Sequence, residues 1–471
     1  MTKGLLSPGP SARLLLLLRP MSLLLLFAIA MAGCKVTTPY KQAARVAGDS
    51  IYRDTTITDT SSIATLPWRQ LFPDTLLQTL IQEGIDNNLD LRIAVARMRQ
   101  AEAGVRQSKA AFFPSLDANA GASLQKTAGS PSTQNYQAYL SSTWQVDLWG
   151  KLRSSKRAAL AALLQSDAYR RDVQTQLVAN IAGSYYSLLG LDQQLKITLA
   201  TIENRKEDVN TTKALKESDV LTGAAVMQSQ ANLYSAEVTL PDIRQNIRNT
   251  ENTICLLLGR NPGAIRRDSL YNVPLPTDLK TGLPAQLLAN RPDVQEAEDQ
   301  LRYYTELTNV ARTYFYPALT ITGQGGLSSG NLSHFFDASA FFGNIVGGLT
   351  QPIFNNGLNR QRLEVAKAQQ QEFLLTFQKT LLTAGQEVSN ALYDYQAASD
   401  KIGIRKQQLH FLEKSVEFTR ELMKYNANTN YTDVLTSEQN LLSAQINSID
   451  DRLQQQQAVI TLYASLGGGW R

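Results

Sequence analysis

Cysteine and histidine, the side chains most often used for nucleophilic and metal chemistry, are scarce in this chain of 471 residues. There are two of each: Cys34, Cys255, His334 and His410. Residues so widely separated do not have the ligand spacing of a structural zinc site, and neither histidine has a second ligand close to it in sequence. The sequence therefore predicts no metal site and no cofactor.

Three of these four residues are expected to be ordinary parts of the fold. Cys255 lies in the apolar run Ile254-Cys255-Leu256-Leu257-Leu258, and a free cysteine in such surroundings packs as a small hydrophobic side chain. It is predicted to lie in a core. His334 is predicted in a loop between two strands, and His410 in a helix.

One glycine-rich segment begins like a dinucleotide-binding fingerprint. In Gly323-Gln324-Gly325-Gly326-Leu327-Ser328, however, Ser328 stands where the third glycine belongs, and no strand-helix-strand unit surrounds it. The motifs GxxxxGK[ST], GxSxG and HExxH do not occur. A strand that needs small residues explains these glycines better, and the sequence predicts that the chain is not an enzyme.

Cys34 is the exception, because it follows residues typical of an export signal. Lys3, Arg13 and Arg19 precede a seven-residue apolar run at 23–29, and Met31-Ala32-Gly33 leads into the cysteine. Seven apolar residues are about a third of the ~20 that cross a bilayer as a helix. The segment resembles a bacterial lipoprotein signal, whose cleavage leaves a lipidated cysteine as the first residue.

We therefore predict a signal peptide over 1–33, lipidation of Cys34 and a lipid-anchored extended segment over 34–70. Lys35, where an aspartate would retain a lipoprotein, favours delivery to the outer membrane by analogy with enteric bacteria. Cleavage after Ala28-Ile29-Ala30 is the alternative, and translation could start at Met1 or at Met21.

The basic balance of the chain belongs largely to this leader. The formal net charge is +5, and it falls to +2 without the three cations that precede Cys34, a stretch that contains no acidic residue. Proteins that bind nucleic acid usually carry an excess of positive charge, and a net charge of +2 is not such an excess. No nucleic-acid partner is therefore predicted.

The chain repeats itself. Two segments of the first half recur in the second half. The first pair is Asn88-Leu89-Asp90-Leu91 and Arg291-Pro292-Asp293-Val294, and the second pair is Phe112-Phe113-Pro114 and Phe315-Tyr316-Pro317, with a shift of 203 residues between Pro114 and Pro317. Leu257-Leu258-Gly259 recurs as Ser465-Leu466-Gly467, a shift of 208. This periodicity predicts a duplicated unit, with a first repeat over 71–263, a linker over 264–283 in an equatorial region and a second repeat over 284–471.

Each repeat contains two segments of alternating apolar and polar residues, which predict strands. They lie at about 115–125, 136–148, 318–328 and 342–354. Such strands fit either a soluble hairpin or a transmembrane barrel. Four strands are too few to close a barrel, whereas three chains would supply twelve.

The remaining segments predict long helices, at 151–216, 224–258, 359–425 and 431–466. At 1.5 Å per residue the first would extend ~100 Å. A heptad spacing after Leu435 favours coiled-coil packing, and Pro241 is expected to bend the helix that contains it. The predicted fold class is mainly α with a small β part.

Four segments together resemble a known family. Leu283-Pro284-Ala285-Gln286-Leu287-Leu288-Ala289-Asn290-Arg291-Pro292-Asp293-Val294 is similar to the mid-chain signature of the TolC-like outer-membrane efflux proteins, in their NodT-type lipoprotein branch. Three further segments are similar to the same family: Trp144-Gln145-Val146-Asp147-Leu148-Trp149-Gly150-Lys151-Leu152-Arg153, Leu257-Leu258-Gly259-Arg260-Asn261-Pro262-Gly263 and Tyr431-Thr432-Asp433-Val434-Leu435. The likeness runs from about Trp68 to Trp470.

This resemblance implies a homotrimer with a twelve-stranded barrel in the outer membrane of a Gram-negative bacterium and a periplasmic α-helical barrel. It also implies two partners, a periplasmic adaptor and an inner-membrane pump of the resistance-nodulation-division type. The expected function is passage of drugs, metals or other small molecules to the outside. An outlet for type I protein secretion is the alternative in the same class, and a periplasmic coiled-coil adaptor or structural lipoprotein is the alternative in another.

The resemblance further implies that the helix tips close the tunnel and receive the adaptor. The predicted adaptor-docking tips are Glu217, Ser218, Asn426, Asn428 and Asn430. The predicted gate candidates are Thr432, Asp433, Thr436, Gln439, Asp219 and Lys216.

The gate chemistry of the family is not repeated here. Where the family has leucine, an acid and arginine, this chain has Thr432, Thr436 and Gln439, so that Asp433 and Glu438 become candidates for the charges. One hypothesis is that a ring of three Asp433 side chains narrows the tunnel and selects cations. The alternative for Asp433 is an acid that interacts with the helix dipole.

Overall fold

The computed structural model describes residues 36–38, 40, 62–272, 287–425 and 431–471. Most of this part is helical, and it contains one small sheet, which confirms the predicted fold class. Within the described ranges, no helix combines the length and the apolar character needed to cross a membrane.

The chain forms two compact units. The first, here the sheet unit, contains the described residues of 1–42, 101–163 and 300–374, and the second, the helical unit, contains the described residues of 43–100, 164–299 and 375–471. Each unit takes segments from both sequence repeats. The boundary between the repeats is therefore not a boundary between compact units.

The helices and strands alternate in the order that the sequence predicts. The helices are α1 (Trp68–Leu71), α2 (Thr75–Asn87), α3 (Leu89–Ala110), α4 (Lys151–Glu217), α5 (Gly223–Glu237), α6 (Thr239–Leu257), α7 (Leu287–Asn290), α8 (Pro292–Thr313), α9 (Leu358–Tyr425) and α10 (Tyr431–Ser465). The strands are β1 (Ser115–Gln125), β2 (Thr133–Val146), β3 (Ala318–Ser329) and β4 (Phe341–Thr350).

Most predicted bounds differ from the structure by a few residues, and three of the differences have a local reason. β2 ends at Val146 because the Asp147 carboxylate accepts hydrogen bonds from the Leu152 and Arg153 amides, at 2.9 and 3.1 Å, and so caps α4. β4 ends at Thr350, before Pro352, which has no amide hydrogen for a strand ladder. The helix predicted at 224–258 is interrupted at Val238, close to Pro241.

The sheet is antiparallel, in the order β1-β2-β3-β4, so that its central pair joins the two sequence repeats. Partners across the ladder point to the same face. Leu116 lies opposite Ser142, Ala118 opposite Leu140, and Ile321 opposite Trp144 and Gly347. One face therefore carries most of the apolar residues of the four strands and is here called the apolar face, whereas Phe342 and Val346 of β4 lie on the other face.

The opposite face is mainly polar. It carries Asp117, Asn119, Gln137, Ser141, Thr143, Thr320, Thr322, Gln324, Asn344 and Thr350. Gly326 lies on it in β3, where a Cβ atom would overlap the Ala138 carbonyl and the Tyr139 backbone. The glycine-rich segment is therefore part of a strand in which at least this glycine is sterically required, as the sequence predicts.

The core of the helical unit lies among α2, α4, α6 and α10. Its largest buried side chains are Leu77, Ile81, Ile181, Tyr185, Leu188, Ile254, Leu258, Ile449 and Tyr463. The Tyr185 hydroxyl donates to the Asp74 carboxylate at 2.6 Å, so this buried polar atom is satisfied. Cys255 is fully buried in the same unit, and its predicted place in a core is confirmed.

The two repeats close in the same way. Asn88 Nδ2 donates to the Leu257 carbonyl at 2.9 Å, and Arg291 Nη1 donates to the Ser465 carbonyl at 2.7 Å. In each case the residue at the start of a helix bonds the last turn of the final helix of its repeat. The duplication seen in sequence is thus also a duplication of a contact.

A glycine follows each of these final helices in a left-handed conformation. The φ angles are +67° at Gly259 and +87° at Gly467. A Cβ on Gly259 would lie 2.6 Å from the Asn87 carbonyl oxygen, and one on Gly467 would overlap the Asn290 carbonyl. Both positions therefore need glycine for conformation and for space.

Candidate functional site

The predicted tip residues at the end of α4 are exposed and shape the turn that follows. Lys216 and Glu217 are the last residues of α4, and Ser218 and Asp219 follow them. The Asp219 amide donates to the Lys216 carbonyl at 3.1 Å, and the Val220 amide donates to the Leu215 carbonyl at 2.9 Å. Asp219 has a φ of +59°, so it ends the helix in the left-handed conformation that aspartate tolerates.

The gate candidates in α10 share one exposed face of the helix. Thr432, Asp433, Thr436 and Gln439 are exposed, whereas Tyr431, Val434 and Ser437 are buried. Asp433 lies in the first turn, where a carboxylate interacts favourably with the helix dipole. Neither Asp433 nor Asp219 forms an ion pair with a described residue, so the structure does not bring these two acids into one site.

Four other predicted residues lie outside the described part of the chain. They are the lipidation candidate Cys34 and the tip residues Asn426, Asn428 and Asn430.

Behind the exposed face lies a cluster that includes residues the sequence did not single out. The Arg420 guanidinium, on α9, donates from Nε to Glu438 Oε1 on α10 at 2.8 Å, and its Nη2 lies 2.7 Å from the same oxygen. The same Nη2 lies 3.8 Å from Asp208 Oδ1 on α4. We call Asp208, Arg420 and Glu438 the tip cluster.

The tip cluster has buried polar neighbours. The Tyr431 hydroxyl at the start of α10, the Ser229 hydroxyl on α5 and Asp208 Oδ2 are all buried, and none has a hydrogen-bond partner among the described residues. Next to them the Thr419 and Ser437 hydroxyls lie 3.1 Å apart and join α9 to α10. Four helices therefore contribute polar atoms to one region of the helical unit. A buried polar network that is only partly satisfied rearranges more readily than an apolar core.

The electrostatic balance of the tip cluster depends on one proton. Burial and, after it, the neighbouring Glu438 carboxylate together raise the pKa of Asp208 to about 7, although Arg420 opposes the shift. With Asp208 protonated, Arg420 and Glu438 balance each other. With Asp208 ionised, the cluster carries one excess negative charge.

A cavity of about 280 Å³ adjoins these residues. Arg205, Arg420 and Glu438 line its polar side, and Ile197, Val416, Leu441 and Leu442 line its apolar side. Such empty volume beside a charged cluster leaves space for side chains to rearrange.

The Arg-Pro-Asp segment, in contrast, has a structural role. The Arg291 guanidinium is buried and donates to both Asp293 oxygens, at 2.9 and 2.6 Å, and to Glu387 at 2.7 Å. Burial, with Asp293 nearby, raises the pKa of Asp172 to about 6 in the same region. The most specific motif of the sequence thus holds α8 to α9 and α10 within the helical unit.

The remaining chemical candidates are not assembled into a site. His334 ends a short 3₁₀ turn between β3 and β4, where its Nδ1 lies 2.8 Å from Asp337 Oδ2, and His410 lies in α9. Both positions are as predicted. In the described ranges no group of three or more His, Cys, Asp and Glu side chains could hold a metal ion.

Comparison with known proteins gives the same family as the sequence motifs. The family model for outer membrane efflux proteins matches residues 80–260 and 283–468. The cation efflux system protein CusC of Escherichia coli O6:H1 is 29% identical over 457 residues, which cover 94% of this chain and 97% of CusC. The antibiotic efflux pump outer membrane protein ArpC of Pseudomonas putida is 30% identical over 463 residues, covering 94% of each chain.

A solved structure agrees with these relatives. The outer-membrane channel OprN matches with a TM-score of 0.85 and 25% identity, over 93% of this chain and all of that one. The family model and the relatives each cover well over half of the chain. The chain therefore belongs to the outer membrane efflux protein family.

Proposed function

We propose that this chain is one subunit of a homotrimeric outer-membrane channel, anchored by lipid at Cys34, that completes a tripartite efflux system. In this account it passes small molecules from an inner-membrane pump and a periplasmic adaptor to the outside, and it carries out no catalysis. The observation that carries the proposal is the apolar face of the sheet.

That face is both exposed and continuous. The side chains of Leu116, Leu124, Phe341 and Ile345 are 70, 69, 70 and 82% exposed. Water-soluble sheets bury such a face against a core, whereas membrane barrels turn it towards lipid and keep the polar face towards water. The alternation across all four strands is the one expected of a barrel wall.

The edges of the sheet support the trimer. Strands β1 and β4 each pair with a single neighbour, so each leaves one row of backbone groups without a strand partner in the described sheet. In a bilayer every such group must be paired. Pairing β1 of one copy with β4 of the next satisfies both edges, and three copies give twelve strands, enough to enclose a channel.

An exposed apolar stripe on α9 supports the same assembly. It consists of Leu375, Leu382, Tyr393, Ile404, Phe411, Phe418 and Leu422, all more than half exposed. Successive members are mostly seven or eleven residues apart, which keeps them on one side of a helix. A stripe of this size on a soluble helix calls for a partner surface, and a second copy of the chain supplies one.

We further propose that the helix tips form the periplasmic gate. Glu217 and Ser218 at one tip, with Asn426, Asn428 and Asn430 at the other, would receive the adaptor. The gate candidates Lys216, Asp219, Thr432, Asp433, Thr436 and Gln439 would face the tunnel. In a trimer Asp433 would form a ring of three carboxylates, and Asp433→Ala should then lower cation selectivity in single-channel recordings. Unchanged selectivity would remove Asp433 from the gate.

The class of cargo follows from the relatives only in outline. One is named for cation efflux and another for antibiotic efflux. Their divergent cargo on a common channel fits a conduit that passes what the pump delivers. Drugs, metal ions and other small molecules are therefore all within the proposal.

Fractionation and channel recording test the proposal together. The full-length chain, expressed with its leader, should appear in outer-membrane fractions as a trimer that resists dodecyl sulfate and dissociates on heating. The same material should insert into planar bilayers and conduct. An inner-membrane monomer without conductance would instead support the coiled-coil adaptor. Co-purification with a protein-secretion transporter in place of a small-molecule pump would support the secretion outlet.

A further inference from the structure

The first described residues of the chain are bound to the sheet unit by their backbone. The Thr38 amide donates to Asn309 Oδ1 at 3.2 Å, and Asn309 Nδ2 donates to the Thr38 carbonyl at 2.7 Å. One side-chain amide on α8 thus satisfies both backbone groups of a single residue, as a neighbouring strand would. The side chain of Thr38 takes no necessary part in this pair of bonds.

The orientation of the Asn309 amide is fixed from behind. Asn309 is 1% exposed and Glu306 is also 1% exposed. The Glu306 carboxylate accepts from Asn309 Nδ2 at 3.1 Å and from Arg157 Nε and Nη2 at 2.6 and 2.8 Å. Because the carboxylate accepts only, Nδ2 must face Glu306 and Thr38 O, which leaves Oδ1 for the Thr38 amide.

Further contacts hold the residues on either side of Thr38. A Cβ on Gly150, whose φ is +81°, would lie 3.1 Å from Thr37 Oγ1, so the chain passes close to the backbone before α4. The Arg302 guanidinium lies 5.2 Å from the ring centre of Tyr40. Arg312 Nη1 donates to Thr38 Oγ1 at 3.1 Å.

We propose that Gly150, Glu306, Asn309 and Arg312 form a docking site for the mature N-terminus, here the clasp, which recognises backbone and fixes the length of the lipid anchor. The clasp lies beside the ends of β2 and β3, where Trp149 Nε1 donates to the Pro317 carbonyl at 2.7 Å. Cys34 is four residues before Thr38, so the chain allows it to lie at most ~14 Å from the clasp.

The consequence is a fixed relation between lipid and sheet. Acyl chains on Cys34 enter the membrane at the level of this end of the sheet, because the chain at residues 36–38 is held in place. Only the position of the lipid depends on the proposed lipidation of Cys34. The clasp itself holds the chain whether or not Cys34 is acylated.

Amide hydrogen exchange on the purified full-length protein tests the clasp. Asn309→Leu removes both the acceptor for the Thr38 amide and the donor to Thr38 O, so exchange in a peptide containing residues 36–40 should become faster by about ten- to a hundredfold. Thr38→Val keeps both backbone bonds and loses only the exposed bond from Arg312 to Thr38 Oγ1, so its effect on exchange should be much smaller. Equal exchange in the wild type and Asn309→Leu would overturn the proposal, as would an effect of Thr38→Val as large as that of Asn309→Leu.

A second variant leaves the folded body untouched. Thr38→Pro removes the amide hydrogen that Asn309 Oδ1 accepts together with the hydroxyl, and Thr38→Val is the control for the loss of the hydroxyl. Trypsin should then cut after Lys41 at least about tenfold faster in Thr38→Pro than in the wild type or Thr38→Val. Equal cutting in all three would contradict the clasp.

Mass spectrometry of Cys34 and bilayer conductance are measured on the same samples. The two proposals can therefore fail separately. A protein that conducts but has lost the protection of its amides from exchange contradicts the clasp alone, and a protein that keeps this protection but does not conduct contradicts the channel alone.

Discussion

Arg420 and Glu438 join the two long helices of the second repeat, with Arg420 Nη2 2.7 Å from Glu438 Oε1. Glu438 lies seven residues after α10 begins, close to the turn that links α9 and α10. Asp208 approaches the same guanidinium from α4, 3.8 Å away. A single cation thus holds two acids from two other helices next to the proposed gate.

The pH dependence of this cluster has a definite sign. The pKa of Asp208 is raised from 3.8 to about 7, so the folded protein keeps a proton that the unfolded chain releases between these values. Stability from this group is full below about pH 4 and is lost as the pH rises towards 7. Asp208→Asn imitates the protonated form permanently.

We therefore expect wild type and Asp208→Asn to unfold at similar temperatures at pH 4, and the variant to unfold at a higher temperature at pH 8. Thermal unfolding followed by circular dichroism at both pH values measures this. Other titrating groups, such as Asp172, cancel in the comparison. A difference that is equal at both pH values, or larger at pH 4, would mean that Asp208 is ionised throughout.

The glycines that close the two repeats should not tolerate a side chain. Gly259→Ala or Gly467→Ala adds a Cβ against the Asn87 or Asn290 carbonyl at a positive φ, and each should cost about 2 kcal/mol or more of unfolding free energy. Gly403→Ala is the matched control, because its Cβ meets nothing within 4 Å in the middle of α9. That change should be neutral or stabilise by up to about 1 kcal/mol. Denaturant titration of all three decides, and a neutral Gly467→Ala would show that the close approach is unimportant.

The two faces of the sheet should respond in opposite ways to the same charge. Ile345 lies on the apolar face of β4 and Asn344 on the polar face. Ile345→Lys should cost about 2–4 kcal/mol if the side chain faces the middle of a bilayer and should reduce the amount of trimer in outer-membrane fractions, whereas Asn344→Lys should be accepted. Immunoblots of fractionated membranes compare the two, and equal loss or equal tolerance would argue against a lipid-facing sheet.

The α9 stripe should be needed for assembly. Phe411 is 70% exposed, so Phe411→Glu should leave the fold of the single chain unchanged but prevent the trimer, because it places a charge in the proposed contact between copies. Native mass spectrometry in detergent reports the oligomer, and trimers formed by Phe411→Glu would place the contact elsewhere.

Features of the fold that depend on residues close together in the chain could be predicted from the sequence. Alternating residues predict β1 within its observed bounds, Pro241 predicts a bend close to the interruption found at Val238, and the apolar run around Cys255 predicts its burial. These features depend on neighbours in the chain. The division into units could not be predicted from the repeats, because β2 of one repeat pairs with β3 of the other.

The tip cluster was missed for a similar reason. Asp208 and Glu438 are 230 residues apart, and nothing local marks either of them as buried. The sequence contains one signal for the pairing of α9 with α10. In three complementary pairs, both members lie at nearly the same distance in sequence from the turn near residue 428: Arg420 with Glu438, Thr419 with Ser437, and Arg405 with Asp451. Antiparallel helices place such residues opposite each other, so complementary pairs at equal distances from a predicted helix turn are worth seeking.

The central claim is that this chain forms an outer-membrane channel that the tip cluster helps to keep closed. The most direct test is the conductance of purified trimers in planar bilayers, compared between the wild type and Arg420→Ala. Lys206→Ala is the control, because Lys206 forms only a surface pair with Glu203 at 3.6 Å. We expect low conductance for the wild type and the control and a clearly larger conductance for Arg420→Ala, which loses the ion pair that joins α9 to α10 beside the proposed gate. Conductance that is absent from all three proteins, or that is the same in all three, would contradict the account.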